Sequence, residues 1–357
     1  MSKQPKSFYF NFDRCDQAHV PFNFIIGGRG TGKTYGGLTR CKDLYEEGLA
    51  EWDIQPGSRF MYMRRTEVEV QSIADEYYNP FKAINRDTKS EITSAYLKKN
   101  NMGTFHNLPI DREDRKLIGY ASALSVFSNL RGADLSDVSI LIFDEFIKEG
   151  VKKQMKAEAD AFFNAYETIS RNRELRGLPP LICYLFSNAT DIESPLLAEL
   201  GLIPVIEKML QKHQAYFTDK DRGIHIELLS ERELGVVNAR KEQNAISKLT
   251  KGTKYYRHAQ DNEFAYNSFV NIVKQDTRHY LPWIEVDGVY IYRSKSDMVY
   301  YACRSKAKCQ YRYTEDSIPL FRRQWGIEMF NAIHGNRMMF ETYDVKMAIM
   351  SKFPESR

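Results

Sequence analysis

Eight consecutive residues, Gly27-Gly28-Arg29-Gly30-Thr31-Gly32-Lys33-Thr34, satisfy the pattern G-x-x-x-x-G-K-[ST] in full. That spacing serves the cradling of a triphosphate. Glycine at four of the first six positions opens backbone torsions closed to other residues, so that successive N–H groups can turn toward phosphate oxygens. Lys33 is placed to reach the β- and γ-phosphates, and the Thr34 hydroxyl to ligate Mg²⁺. A glycine-rich turn beside a surface lysine is the bland alternative, and it must also explain a second signal. Residues 138–143 form a mostly apolar, β-branched run that ends in Asp144-Glu145, which sets a carboxylate at the carboxyl end of a buried strand, where α/β sheets bind ligands. Asp144 is expected to hold Mg²⁺, directly or through water, and Glu145 to polarise an attacking water as general base. No N-K-x-D guanine-reading motif occurs, so ATP is the expected nucleotide.

Two further groups could join that chemistry. Ser187-Asn188-Ala189 closes another apolar run; the Asn188 amide either senses a γ-phosphate and holds the water, or only turns the chain. Arg171-Asn172-Arg173-Glu174-Leu175-Arg176 closes a predicted helix. Its arginines either complement the helix C-terminus or, in a ring of subunits, enter a neighbour's site as an arginine finger.

Holding these groups together requires a sheet. Short apolar runs at 22–26, 59–63, 122–127, 138–143 and 181–186 alternate with amphipathic stretches, of which 33–48 and 158–173 read as helices. Such alternation predicts a mostly parallel sheet with helices on both faces. A polar stretch at 85–115, alternating around 95–105, reads as a hairpin insertion. Residues 196–230 read as a connector with a helix and a short extended piece. From 266 the chain turns β-rich, with a hairpin about Asp287-Gly288, and helical pattern returns at 320–334. The expected division is an ATPase domain at 1–195, a linker at 196–230, and a smaller α+β domain at 231–357.

A length of 357 residues suggests two domains, and 43% hydrophobic with 27% charged residues is ordinary for a globular chain. No apolar run is long enough to span a bilayer, and residues 1–13 lack the apolar core of a secretory signal. The expected location is the cytoplasm. Five cysteines are scattered and never form C-x-x-C, so they are expected to be reduced thiols in packing, with neither a disulfide framework nor a zinc site. After residue 230 there are 21 Lys+Arg against 15 Asp+Glu, and before it 30 against 32. The basic excess of the last third points either to a polyanionic partner or to a solvated mixed-charge surface.

With these residues in place, the chain resembles the DNA-packaging (encapsidation) ATPases of small, short-tailed, protein-primed bacteriophages, relatives of the terminase large subunits. The resemblance rests on 23–34, 61–65 (Met61-Tyr62-Met63-Arg64-Arg65), 124–127, 142–147, 171–174 and 187–189, in that order, and spans about residues 20–195. A glutamate directly after the Walker-B aspartate is typical of additional-strand (ASCE) P-loop ATPases, the group of motors and helicases. What the resemblance implies is a homo-oligomeric ring, five subunits on a procapsid portal or connector, translocating double-stranded DNA at the expense of ATP. Some relatives also use a structural packaging RNA there. By the same resemblance Arg171 is the trans-acting finger, Arg173 the second choice, and Arg131 either a basic residue kept ahead of Walker B or a surface residue.

Terminases carry a C-terminal RNase-H-like nuclease whose two-metal chemistry needs converging carboxylates. None of the acids after 260 follows an apolar strand in that manner, so a degenerate nuclease-like fold that binds nucleic acid is expected. Arg293, Lys295, Arg304, Lys306, Lys308 and Arg312 could supply phosphate contacts. The tyrosines interleaved with them, at 290, 292, 300, 301, 311 and 313, read either as contacts or as core. The alternatives to a motor are a terminase with a live nuclease and a nucleotide-gated nucleic-acid-binding scaffold.

Overall fold

The computed structural model describes residues 8–109, 111–130, 132–147, 158–188, 194–230, 232, 234–236, 245–251, 271–296, 298–335 and 337–353. The chain divides into two compact units, residues 1–199 with 209–265, and 200–208 with 266–357.

The first unit is built on nine strands. In chain order its elements are α1 (Asp13–Ala18), β1 (Phe22–Ile26), α2 (Lys33–Glu47), β2 (Arg59–Arg64), α3 (Glu67–Ala74), α4 (Lys82–Thr88), β3 (Thr93–Leu97), β4 (Met102–His106) and β5 (Leu117–Ala123). There follow β6 (Val138–Asp144), α5 (Glu158–Ser170), β7 (Ile182–Ser187), α6 (Pro195–Glu199), then α7 (Ile203–Gln211), which belongs up to Lys208 to the second unit, and β8 (Tyr216–Asp219), β9 (Ile224–Leu228) and α8 (Ala245–Thr250). The sheet order is β3-β4-β5-β2-β6-β7-β1-β9-β8. From β5 to β9 every pairing is parallel, while β3, β4 and β8 add antiparallel edges. Central strands covered on both sides should be apolar throughout, and β6 and β7 are buried at every position. α2 packs Leu38 and Cys41 with Ile25, Ile142 and Phe186 on one face. α5 stacks Phe162 on Phe143 on the other.

Two expectations need correction. The run 122–127 ends β5 at Ala123 and then forms a 3-10 turn over Leu124–Leu130. Leu124, Phe127 and Leu130, three apart, are its buried residues, the spacing of a three-residue turn rather than of a strand. The stretch 196–230 does more than connect: β9 pairs with β1 along its length, and β8 pairs with β9. Its alternating polar residues hid a buried strand.

The second unit holds β10 (Tyr280–Val286), β11 (Val289–Ser294), β12 (Tyr300–Cys303), β13 (Tyr311–Tyr313), α9 (Ile318–His334), β14 (Met338–Phe340) and α10 (Tyr343–Met350). Its sheet order is β13-β10-β11-β12-β14, antiparallel in the middle with parallel strands at each edge. Asp287 and Gly288 both take positive φ between β10 and β11, the two-residue hairpin turn that the strand twist favours. Ile284, Ile291, Phe321 and Val345 are fully buried in its core.

Candidate functional site

Strand register brings the sequence motifs to one rim. Ile26 lies opposite Ser187, Phe186 opposite Asp144, and Phe143 opposite Met63. The residues that come next, Gly27, Asn188, Glu145 and Arg64, therefore leave the sheet at the same carboxyl edge. β7 stands between the strand feeding the phosphate loop and the strand ending in Asp144, which is the additional strand that the Asp-Glu pair led us to expect.

The loop closes on itself. Gly27 N–H donates to Ser187 O at 3.1 Å, and a Cβ on Gly27 would fall 2.4 Å from that of Leu229, so only glycine fits there. Gly32 has φ +94° and starts α2, with Gly36 N–H donating to its carbonyl at 2.8 Å. Lys33 is buried, and its Nζ donates to Gly27 O at 2.8 Å and Gly28 O at 2.9 Å. Thr31 Oγ1 donates to Gly28 O at 3.0 Å. The ammonium is thus folded back under the loop whose N–H groups head α2, a helix N-terminus that favours anions. Arg29 and Gly30 are exposed at the loop tip.

Asp144 is buried and crowded by donors. Its Oδ2 accepts from Tyr62 Oη at 2.6 Å and from Thr34 Oγ1 at 3.0 Å, with Arg64 Nη1 at 3.3 Å; its Oδ1 accepts from Glu145 N–H at 3.1 Å. Thr34 and Asp144, 110 positions apart in sequence, are in direct contact. Glu145 has φ +58°, a left-handed conformation uncommon for a glutamate and of the kind held at functional sites. Its Oε2 accepts from Arg64 Nη2 at 2.7 Å. Burial works against the charge of Arg64, but Tyr62, Asp144 and Glu145 outweigh it and raise the guanidinium pKa. Burial, with Asp144 beside it, pushes the Tyr62 phenol well up, so it remains a donor.

Residues 29–35 share a cavity of about 450 Å³ with Asp144, Glu145, Ser187 and Asn188. A neighbouring cavity of about 870 Å³ takes Gly30 and Gly32 from the same loop, Tyr35 from the start of α2, and its other wall from residues 9–13 and α4.

Arg171 lies elsewhere. Arg173, two residues on, donates to Ser136 O, Val138 O and Ser139 Oγ at 3.1, 2.7 and 3.1 Å, and to Pro179 O at 2.9 Å. These partners sit where β6 begins, a seven-residue strand away from Asp144, or about 20 Å at ~3.3 Å per residue. Arg173, the second choice for a finger, is corrected: it is 4% exposed and fully engaged in closing its own subunit. Arg171 is partly exposed, with φ +38°, followed by Asn172 at +58°. Arg131 and Ala189 lie outside the described residues.

Tyr62 and Arg64 escaped functional assignment from sequence, where they were only part of a matching stretch. Their signal was position: both belong to β2, whose carboxyl end the register sets beside Asp144.

In the second unit the tyrosines are mostly core. Tyr290, Tyr292, Tyr300, Tyr301 and Tyr313 are buried, whereas Arg293, Lys295, Arg304, Lys306, Lys308 and Arg312 are exposed. Arg312 Nε sits 3.3 Å from Glu285, and Arg304 Nη2 3.1 Å from Asp344. Among the described residues no group of three acidic, histidine or cysteine side chains converges in this unit as a metal site would require; one such group, Cys15, His225 and Glu227, occurs in the first.

Strand order, phosphate loop and the carboxylate pair on the next strand but one define a P-loop NTPase of the additional-strand class. Its particular kind follows from comparison: the chain belongs to the podovirus DNA encapsidation protein (Gp16) family, which it matches over residues 4–281. It is 30% identical over 254 residues to the DNA packaging protein of Bacillus phage B103, covering 71% of this chain and 67% of that one. To the DNA packaging protein of Bacillus phage phi29 it is 26% identical over 271 residues, covering 76% and 70%. The same fold occurs in the bacteriophage Phi-29 viral genome packaging motor assembly, with TM-score 0.64 and 19% identity over 97% of this chain and 98% of that one.

Proposed function

We propose that this chain is the ATP-hydrolysing subunit of a motor that drives double-stranded DNA into a procapsid. The observation that carries the proposal is the meeting of Lys33, Thr34, Asp144 and Glu145 around one cavity in a member of a DNA-encapsidation family.

The backbone of residues 27–32, with Lys33, would bind the triphosphate of ATP. The hard oxygen donors of Thr34 and Asp144, already 3.0 Å apart, suit Mg²⁺, which when bound would neutralise charge on the β- and γ-phosphates. Tyr62 and Arg64 hold the Asp144 carboxylate in place. Glu145 is the general base for water; its ion pair with Arg64 must open or swing for the carboxylate to accept a proton. Asn188, on the rim between loop and base, fits the role of orienting the water or sensing the γ-phosphate. The larger cavity beside Tyr35 gives room for base and ribose.

Arg171 stands too far from its own subunit's cavity to serve it. In a ring its place on the opposite edge of the sheet suits a finger reaching the next subunit, and we assign it that role ahead of the other arginines. From membership of the DNA encapsidation family we infer a homo-oligomeric ring of five on the portal, acting in the cytoplasm of the infected host, and a packaging RNA, which some relatives use, is a candidate further partner. Among the described residues no helix is long and apolar enough to cross a membrane. The exposed basic residues of the second unit would touch DNA phosphates without reading sequence, as a nuclease-like domain that binds DNA and does not cut it would.

The test is steady-state ATP turnover with and without double-stranded DNA, on protein assembled with portals. Turnover that rises with DNA and vanishes in Lys33→Ala is expected. Slow hydrolysis indifferent to DNA would replace the motor with the nucleotide-gated scaffold.

A further inference from the structure

Strand β9 carries polar side chains in the interior of a sheet. His225 and Glu227, two residues apart and so on one face of the strand, are 1% and 0% exposed, and Cys15 of α1 is 1% exposed. One ligand atom from each lies within 4.8 Å of the others. The partners of this cluster are arranged as a metal's outer shell would be. His225 Nδ1 is committed to Thr218 Oγ1 at 2.8 Å, and one oxygen of Glu227 is held by Arg232 Nη1 at 3.1 Å. What is left over points inward. His225 Nε2 and Glu227 Oε1 are 3.5 Å apart, and neither has a hydrogen-bond partner among the described residues. Buried polar atoms are nearly always satisfied, so two orphans facing one thiol call for an explanation.

We propose that Cys15, His225 and Glu227 bind one divalent transition-metal ion, with Zn²⁺ the best fit. A thiol, an imidazole and a carboxylate form a mixed S, N, O set that suits Zn²⁺ and not Mg²⁺ or Ca²⁺. Zinc bonds of ~2.1 Å at the tetrahedral angle set N and O about 3.4 Å apart, close to the spacing found. The sulfur lies within 4.8 Å of the other two ligand atoms, so the Cys15 side chain must move toward them to complete the set, with water as the fourth ligand. On binding, the S–H bond of Cys15 breaks, the S–metal bond forms, and the proton leaves to solvent. The hydrogen bond to Thr218 fixes the ring so that Nε2 faces the ion, and Arg232 balances the second carboxylate oxygen.

The ion would fasten the N-terminal segment to the strand beside β1. That segment also touches the phosphate loop, through Phe10 N–H to Thr31 O at 2.9 Å, and its Asn11 accepts from Arg232 at 2.8 Å. Cysteine spacing could not point to the site, because its ligands come from the two ends of the first unit.

The test uses the full chain, purified without a metal-affinity step, stripped with chelator and dialysed against ZnCl₂ or CoCl₂. The expected results are about one zinc per chain by elemental analysis and a thiolate-to-cobalt charge-transfer band, with a lower melting temperature after chelation. Cys15→Ser should lose the band and Cys183→Ser should keep it. If Cys15→Ser does not fold, His225→Gln takes its place. A folded wild-type protein with no stoichiometric zinc and no band overturns the proposal, as does a band that survives in either site variant.

Discussion

Arg64 Nη2 and Glu145 Oε2 stand 2.7 Å apart at the rim of the sheet, so the candidate base is held by a cation that also lies 3.3 Å from Asp144. One arginine thus ties together both carboxylates of the site. Glu145→Gln should keep nucleotide binding and lose turnover by roughly 10²- to 10⁴-fold, the worth of a positioned base. Arg64→Ala leaves two carboxylates without their shared partner and should lower stability by about 3 kcal/mol, since breaking a largely buried pair strands the remaining charge. Parallel ATPase, binding and chemical-denaturation measurements check this. Unchanged turnover in Glu145→Gln would remove the residue from the chemistry.

Lys33 donates to the loop's own carbonyls, and a phosphate would draw one or more of those donors away. Lys33→Ala should weaken ATP binding by about 1.5–3 kcal/mol, the value of a charge-assisted hydrogen bond, or roughly 10- to 150-fold. Fluorescent-nucleotide titration measures it.

Arg171 and Arg173 should separate by phenotype despite their proximity. Arg171→Ala should fold normally and cost on the order of 10³-fold in turnover of the assembled ring, with activity partly restored when mixed with Lys33→Ala subunits. An equal loss in dilute monomer would be incompatible with a role across subunits. Arg173→Ala removes donors to four buried or part-buried oxygens and should instead lower the melting temperature, by about 2–4 kcal/mol of stability.

Glu207, in α7, is half-buried near Asp344, and burial first and that charge second push its carboxyl up from 4.5 to about 7. The folded state therefore binds a proton that the unfolded state has released between those two values. Stability contributed by this group is present below pH 4.5 and is lost as pH rises through about 7. The loss, discounted for partial exposure, is on the order of 1–3 kcal/mol. Glu207→Gln should flatten the pH profile of unfolding over that window and be the more stable protein at pH 8.

The second unit should bind DNA and not cut it. Supercoiled plasmid with Mn²⁺ should remain intact. Replacing Lys306 and Lys308 together by alanine should reduce the salt slope of DNA binding by up to ~2, each phosphate contact contributing ~0.9. An unchanged slope would place the DNA contact on another surface.

The phosphate loop, the strand into Asp144-Glu145 and the hairpin at Asp287-Gly288 were legible in the sequence because each is a local pattern. Glycines at fixed spacing, a β-branched run stopped by carboxylates, and a two-residue turn between strands declare themselves without knowledge of neighbours. The hairpin at 93–106 and the helix at 318–334 were readable for the same reason. What the sequence could not state is adjacency. Which strand lies beside β6, and at what register, is set by packing across the sheet, and that packing alone put Arg64 and Tyr62 on Asp144 and turned Arg173 into a brace. The extended piece that became β9 read as part of a connector because His225 and Glu227 gave it the alternation of a half-exposed strand, whereas tertiary structure buried both faces and brought Cys15 to them. Local pattern fixes which groups can do chemistry; long-range register decides which of them meet.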